Sequence, residues 1–379
     1  MSRDALAAYE ALTGGLSRPL RVDALCRLAG ERFPGLVPGA AELAAEAPLP
    51  QREKKGLEKA QGRFLAAVLS DPRAGTHLCR SMLLPREESR EHLAQFEAKG
   101  ELELAGARLR RQGKAAALTM RNPRYLNAED ESTLEGMETA VDVALLDAKS
   151  ELLVLRGDTV THTKHAGKRV FGAGINLTHL YQGKIRYLWY ILRDLGLVNK
   201  LYRGLALPSV HPEEDSIEKP VVAAVESFAI GGHCQILLTM DYVIAADDAY
   251  MTLPARKEGI IPGAANLRLP RFVGPRVARQ AILAGRRLDF DSPEGRMVCD
   301  EVVPPGEMDQ AIERLIALLT DSGVVSAAGN RRALRSSEEP LDQFRRYMAV
   351  YAREQAQCHF SPALIANLEK HWDAANRRG

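Results

Sequence analysis

Apolar residues recur at helical spacing through 56–69 and 88–102, and the whole stretch from residue 1 to about 113, rich in Ala, Leu, Glu and Arg, reads as helical. Pro34, Gly35, Pro38 and Gly39 break it early, and 48–55 reads as a loop entering a helix. The pattern changes near Gln112-Gly113. A strand is predicted at 115–120, an amphipathic, carboxylate-rich helix at 128–150 and a second strand at 151–156. A long loop, 157–169, leads to strand-like Val170-Phe171. Helices are predicted at 177–181 and 185–205, and strands at 221–225 and 242–246 on either side of a short helix that opens on Gly231-Gly232. Strands alternating with helices imply a parallel α/β arrangement. Beyond about Glu307 three helices are predicted, at 308–319, 340–358 and 362–376.

Composition narrows the class. The chain has 379 residues, room for two domains and a large core. Its 51 basic and 49 acidic residues leave a net charge of +2, which gives no reason to invoke nucleic acid or an anionic membrane. Cys26, Cys79, Cys234, Cys299 and Cys358 are odd in number and widely spaced with no CxxC, as in reduced cytoplasmic proteins. The N-terminus lacks the apolar core of a signal peptide, and no apolar run approaches the ~18–20 residues of a membrane span.

The chemistry concentrates in Ser227-Phe-Ala-Ile-Gly-Gly-His-Cys-Gln235. A glycine pair at a strand-to-helix turn lets backbone N–H groups approach a ligand, and the Gly232 N–H sits at the positive end of a helix dipole. Such a donor suits an oxygen that gains negative charge in a reaction. A second glycine turn, Phe171-Gly-Ala-Gly-Ile-Asn176, supplies another. With these go Asn122-Pro-Arg-Tyr-Leu-Asn-Ala128, Asp241-Tyr-Val-Ile-Ala-Ala246, Leu253-Pro-Ala-Arg256, Gly259-Ile-Ile-Pro-Gly263 and Leu269-Pro-Arg-Phe-Val-Gly274. In this order the motifs resemble the crotonase (enoyl-CoA hydratase/isomerase) superfamily, from about Ala115 to about Leu315. The resemblance implies a ββα spiral core and C-terminal helices used in trimer contacts. The expected division is an N-terminal helical domain (1–113), an acyl-CoA-binding core (114–305) and a C-terminal helical oligomerisation region (306–379). It also implies an oxyanion hole for a thioester oxygen, made by the N–H groups of Ile175 and Gly232.

Departures from the superfamily pattern point to the reaction. Hydratases carry one catalytic Glu where this chain has Gln235 and another where it has Ala255. A carboxamide is no base near neutral pH and Ala does no proton chemistry, so hydration is not expected. Residues 172–181, 192–203 and 253–266, with the long helical N-terminus, are similar to a dioxygenase branch of the superfamily that serves glycopeptide-antibiotic pathways. That branch implies oxidation of 3,5-dihydroxyphenylacetyl-CoA by O2 to 3,5-dihydroxyphenylglyoxylate and CoA, with no metal, flavin or haem. Gln235 and Arg193 join Ile175 and Gly232 as expected catalytic residues, Arg193 through a phenol or phenolate or, equally, through an ion pair with Asp194. Substrate contacts are expected at Glu129, Gly174, Ile230, Gly231, Pro254, Ala255 and Gly263. Glu129 reads equally well as a first-turn helix carboxylate, with Glu131 its nearest competitor.

Other readings weigh less. His233 follows the oxyanion glycine and either acts as a base or faces away. His162 and His165 have no third ligand nearby in sequence, so no metal site is expected. Gly172-Ala-Gly174 lacks the remainder of a dinucleotide fingerprint. A thioesterase or decarboxylase using the same hole, or a silent CoA-binding protein, are the alternatives. The expected assembly is a homotrimer or dimer of trimers.

Overall fold

The computed structural model describes residues 2–207 and 216–377. A seven-stranded sheet runs in the order Glu101–Leu104, Ala107–Gln112, Ala115–Met120, Leu152–Gly157, Val221–Val225, Tyr242–Ala246 and Glu301–Val303. The first three strands are antiparallel and the rest add in parallel. Val221–Val225 is buried at every position, as a continuous apolar run in a parallel strand covered on both faces should be. Beside this sheet, Phe228–Ile230 pairs in parallel with Tyr250–Thr252, which pairs antiparallel with Leu288–Asp289. The chain is mixed α/β with an N-terminal set of helices and a C-terminal set.

The strands at 115–120, 221–225 and 242–246 and the helices at 177–181 and 308–319 lie where the pattern placed them. Residues 101–112, read as helical, form instead two strands that extend the main sheet. Alternate residues of Ala107–Gln112 are buried against the sheet's helix layer, and tertiary pairing overrides their helix propensity. Helices at Ala265–Ala284 and Val324–Glu338 had no counterpart in the prediction.

The helix predicted at 128–150 begins at Glu131. Asp130 caps it, accepting from the Ser132 N–H, while the Thr133 hydroxyl accepts from the Asp130 N–H. Pro123–Tyr125 forms one 3-10 turn, and 126–129 stay out of the long helix because Leu126 and Asn127 are left-handed, both at φ 56°, and Asn127 donates through Nδ2 to the Asp158 and Val170 carbonyls. The stretch predicted as one helix at 185–205 is α-helical at Tyr187–Leu192 and Asn199–Arg203, with a π-helical segment, Arg193–Val198, between them. Such widened turns are frequent at functional sites.

The N-terminal helices share one apolar core with the rest. Lys59–Ser70 packs along Leu341–His359. Glu58 accepts from the Tyr187 N–H at 2.6 Å, and the Tyr187 hydroxyl donates to the Ala352 carbonyl at 2.6 Å.

Candidate active site

The two glycine turns are stitched together. The Gly172 N–H donates to the Phe228 carbonyl and the Ile230 N–H to the Gly172 carbonyl, at 3.2 and 2.9 Å. Gly174, at φ 78°, packs so closely that a Cβ there would lie 2.8 Å from the Ile230 oxygen and 3.1 Å from the Gly232 nitrogen. On the other side, Glu129 bridges to the same turn: its N–H donates to Gly174 and its carbonyl accepts from Asn176. The Asn176 amide donates to Asp130, tying the turn to a helix cap. Fixed in this way, the N–H groups of Ile175 and Gly232 have no hydrogen-bond partner among the described residues. Gly232 is the first residue of the helix Gly232–Leu237, so its N–H is one that no helix uses internally.

Both amides face a small chamber lined also by Trp189, Arg193, Asp194, Gln235, Ala255 and Tyr351. Its free volume is about 20 Å³, room for about one water. A larger acyl group enters only by displacing the lining. A cleft of about 390 Å³ adjoins it, with Ile230, Pro254, Arg124, Lys257, His371 and Arg377 among its walls. The C-terminal helices, expected in subunit contacts, therefore also wall the site, through Tyr351 in the chamber and His371 in the cleft.

Arg193 is 2% exposed and spends all five of its N–H donors. Nε and Nη2 bind the two Glu129 oxygens at 2.8 Å each; Nη1 reaches Asp194 at 2.9 Å and the Gln235 oxygen at 2.8 Å; Nη2 also donates to the Gly232 carbonyl at 2.7 Å. Burial opposes its charge, but Glu129 and Asp194 outweigh burial and hold the guanidinium cationic. Arg193 thus has the ion pair with Asp194 and no donor left for a phenolate. Glu129 lies behind it, outside both cavities, and precedes the helix it was expected to begin. Glu131 lies outside the site, paired with Arg186.

With the Gln235 oxygen turned to Arg193, its Nε2 has no partner among the described residues. Gly263 lines neither cavity. It backs directly onto Gln235 and Asp194, where a Cβ would collide with both. His233 is sealed behind the turn: Nδ1 accepts from the Gly174 N–H at 3.0 Å, which assigns the ring proton to Nε2. Burial lowers its pKa to about 4 and keeps it neutral. The Cys234 thiol donates to the Ala229 and Thr252 carbonyls at 3.1 Å, and burial pushes its pKa up.

Three features of the chamber escaped the sequence reading. Trp189 Nε1 and Asp194 Oδ2 are buried without partners. Glu258, in the short helix Ala255–Glu258, lines both chamber and cleft, and burial raises its pKa to about 7. Its signal was faint: a carboxylate one turn after the Ala255 that stands in a hydratase Glu position. His162 and His165 line the cleft, and among the described residues no three His, Cys, Asp or Glu side chains gather as a metal site needs.

A family model for enoyl-CoA hydratase/isomerase matches residues 110–371. The chain is 50% identical over 349 residues, 92% of its length and 80% of the relative's, to (3,5-dihydroxyphenyl)acetyl-CoA 1,2-dioxygenase of Amycolatopsis orientalis. It is 28% identical to the short-chain-enoyl-CoA hydratase of Clostridium acetobutylicum over 62% of this chain and 82% of that one. Among solved structures, an enoyl-CoA hydratase/isomerase from Xanthobacter autotrophicus Py2 superposes with a TM-score of 0.58 at 20% identity, covering 73% of this chain and 100% of that one. The helices before residue 110 therefore lie outside the family model but largely within the match to the dioxygenase.

Proposed function

We propose that this chain, which belongs to the enoyl-CoA hydratase/isomerase family, is a dioxygenase that converts 3,5-dihydroxyphenylacetyl-CoA and O2 to 3,5-dihydroxyphenylglyoxylate and CoA. One observation carries the reading. Two unpartnered N–H groups, on Ile175 and Gly232, meet in a small chamber where Gln235 and Ala255 occupy the hydratase carboxylate positions. Such a site stabilises an enolate but lacks the acid–base pair that adds water. The 50% identity to the Amycolatopsis dioxygenase, reaching into the helical N-terminus, supports the choice of reaction.

The thioester oxygen accepts from Ile175 and Gly232, which lowers the energy of the enolate formed when Cα loses a proton. One such donor is typically worth ~3–4 kcal/mol. The arylacetyl enolate, delocalised into ring and carbonyl, gives one electron to O2, and the pair combines as a peroxide on Cα. The distal peroxide oxygen attacks the carbonyl and expels CoA thiolate. The remaining Cα proton leaves to solvent as the O–O bond breaks, its C–H electron pair forming the ketone, and the other oxygen stays in the carboxylate. The enolate is itself the reductant, so this reading takes no metal, flavin or haem. Trp189 Nε1 and Asp194 Oδ2, buried without partners, are matched to ring hydroxyls, since buried polar groups need partners, and Gln235 Nε2, free of protein partners among the described residues, is a further donor to the substrate. Arg193 and Glu129 position Gln235 and the oxyanion turn. Gly231, Ile230, Pro254 and Ala255 supply walls, while Gly174 and Gly263, outside both spaces, let the oxyanion turn and the Gln235 and Asp194 side chains pack closely behind them.

The same reading places the chain in the cytoplasm, in antibiotic biosynthesis, as a homotrimer or dimer of trimers. Exposed Leu318, Val325 and Leu334 on the C-terminal helices support assembly. No helix among the described residues is long and apolar enough to cross a membrane. An oxygen electrode with 3,5-dihydroxyphenylacetyl-CoA, after chelation and dialysis, tests the reaction. O2 loss and free thiol in equal amounts are expected; thiol without O2 uptake means a hydrolase, and neither signal means another acyl group or a silent binder.

A further inference from the structure

We propose that Glu258 is the general base that takes the Cα proton of the arylacetyl thioester. The assignment rests on the reading above and names the proton acceptor that reading requires.

Position comes first. Ile175 and Glu258 are the two residues that line both the chamber and the cleft. The Ile175 N–H marks where the thioester oxygen sits, at the neck between the two spaces, and Cα is bonded to that carbonyl carbon. Glu258 therefore stands at the depth of the reacting bond. It follows Ala255 by three residues in the same short helix, so it shares Ala255's face one turn on. The carboxylate absent from the hydratase position is in this way returned to the site from a neighbouring register.

The competitors are occupied or misplaced. Gln235 and Ala255 do not titrate as bases. Asp194 is tied through Oδ1 to Arg193, and its free Oδ2 lines only the inner chamber, where the reading above places the ring hydroxyls rather than Cα. His233 is closed off, with Nδ1 engaged by the Gly174 N–H. The Tyr190 and Tyr351 phenols are pushed up by burial. The titratable and charged groups that share Glu258's two spaces are Tyr190, Tyr351, Arg193 and Asp194 in the chamber and Lys257, Arg124, Arg377, His162, His165 and His371 in the cleft, with Cys234 close behind the chamber wall. Among the described residues none hydrogen-bonds or ion-pairs with its carboxylate. Burial alone sets its pKa, and about 7 suits a base working near neutrality.

The step balances. The Cα–H bond breaks, its proton goes to a Glu258 oxygen, and its electron pair enters the enolate whose oxygen is held by Ile175 and Gly232. When the C–S bond later breaks, Glu258 returns the proton to the CoA thiolate and is again a carboxylate.

Anaerobic exchange of Cα–H for deuterium in 3,5-dihydroxyphenylacetyl-CoA, followed by NMR in D2O, isolates this step from oxygenation. Wild type should exchange. Glu258→Gln should exchange about 100-fold more slowly or worse, with an unchanged dissociation constant for the thioester. Glu258→Asp should retain intermediate exchange, and the acidic limb of the wild-type kcat/KM profile near pH 7 should be absent in Glu258→Gln. Wild-type exchange rates in Glu258→Gln, with that limb in place, overturn the proposal. If Glu258→Gln does not fold, an Asp variant with wild-type rate and an unmoved limb overturns it equally. Wild type that exchanges without consuming O2 sinks the dioxygenase reading while supporting the base, and wild type that binds the thioester without exchange overturns the base.

Discussion

At the scale of single residues the site separates groups that touch substrate from groups that hold others in place. Arg193 belongs to the second kind. With every N–H committed, it fixes Glu129, Asp194, Gln235 and the Gly232 carbonyl as one unit. Glu258 is the opposite case, a buried residue whose carboxylate meets no partner among the described residues and borders both spaces, and it leaves a thermodynamic signature. Its pKa rises from an ordinary 4.5 to about 7 on folding because burial disfavours the charge. Between those values the folded chain binds the extra proton, so stability falls as pH rises through the window, and above pH 7 the full penalty is present. The gap corresponds to roughly 3 kcal/mol. Glu258→Gln should therefore be more stable than wild type at pH 8, by up to about 3 kcal/mol, and equal to it near pH 4.5. Urea denaturation of both at pH 5 and pH 8 measures this, and a difference that does not grow with pH would contradict the buried, unpaired state.

At the scale of elements, the proposed reaction depends on two turns meeting in one register. Gly174 is where they meet, since its left-handed φ and the nearness of the Ile230 oxygen and Gly232 nitrogen both reject a side chain. Gly174→Ala must shift one turn against the other and move the Ile175 donor off the oxyanion. A loss of one oxyanion donor costs about 100- to 1,000-fold in kcat. That loss is expected in O2 uptake for Gly174→Ala, while the thioester's dissociation constant changes far less. An unchanged kcat would show that the Ile175 N–H is not a donor in the reaction. The π-helical segment works at the same scale, beginning at Arg193 and carrying Asp194 into the chamber wall.

At the scale of the molecule, the N-terminal helices are a buttress. None of their residues lines the chamber or the cleft, but they pack on Leu341–His359 and on the 187–192 helix, which supply Tyr351 and Trp189 to the chamber. Glu58 and Tyr187 join these layers through buried hydrogen bonds. Deleting residues 1–99 strips apolar cover from a shared core and leaves the Tyr187 N–H without its acceptor. The fragment 100–379 should lose cooperative thermal unfolding and O2 uptake together, read by near-ultraviolet circular dichroism and the oxygen electrode. A fragment that melts cooperatively near the full chain's temperature would make the N-terminal helices an independent domain.

Local chemistry and period were legible in the chain itself. The apolar run of Val221–Val225 and the glycine pair before a short helix are properties of neighbouring residues, and with the family resemblance they gave the fold class and singled out the Ile175 and Gly232 amides that the fold leaves without partners. Contacts across the fold were not legible, because no local pattern records them. Residues 101–112 became strands when a sheet edge took them up, and Arg193 lost its free donors to Glu129, 64 residues away in sequence. Glu258 is ordinary in its own segment, and only the tertiary structure, by closing apolar walls around it and placing it beside Ile175, turns it from a surface-like carboxylate into a candidate base.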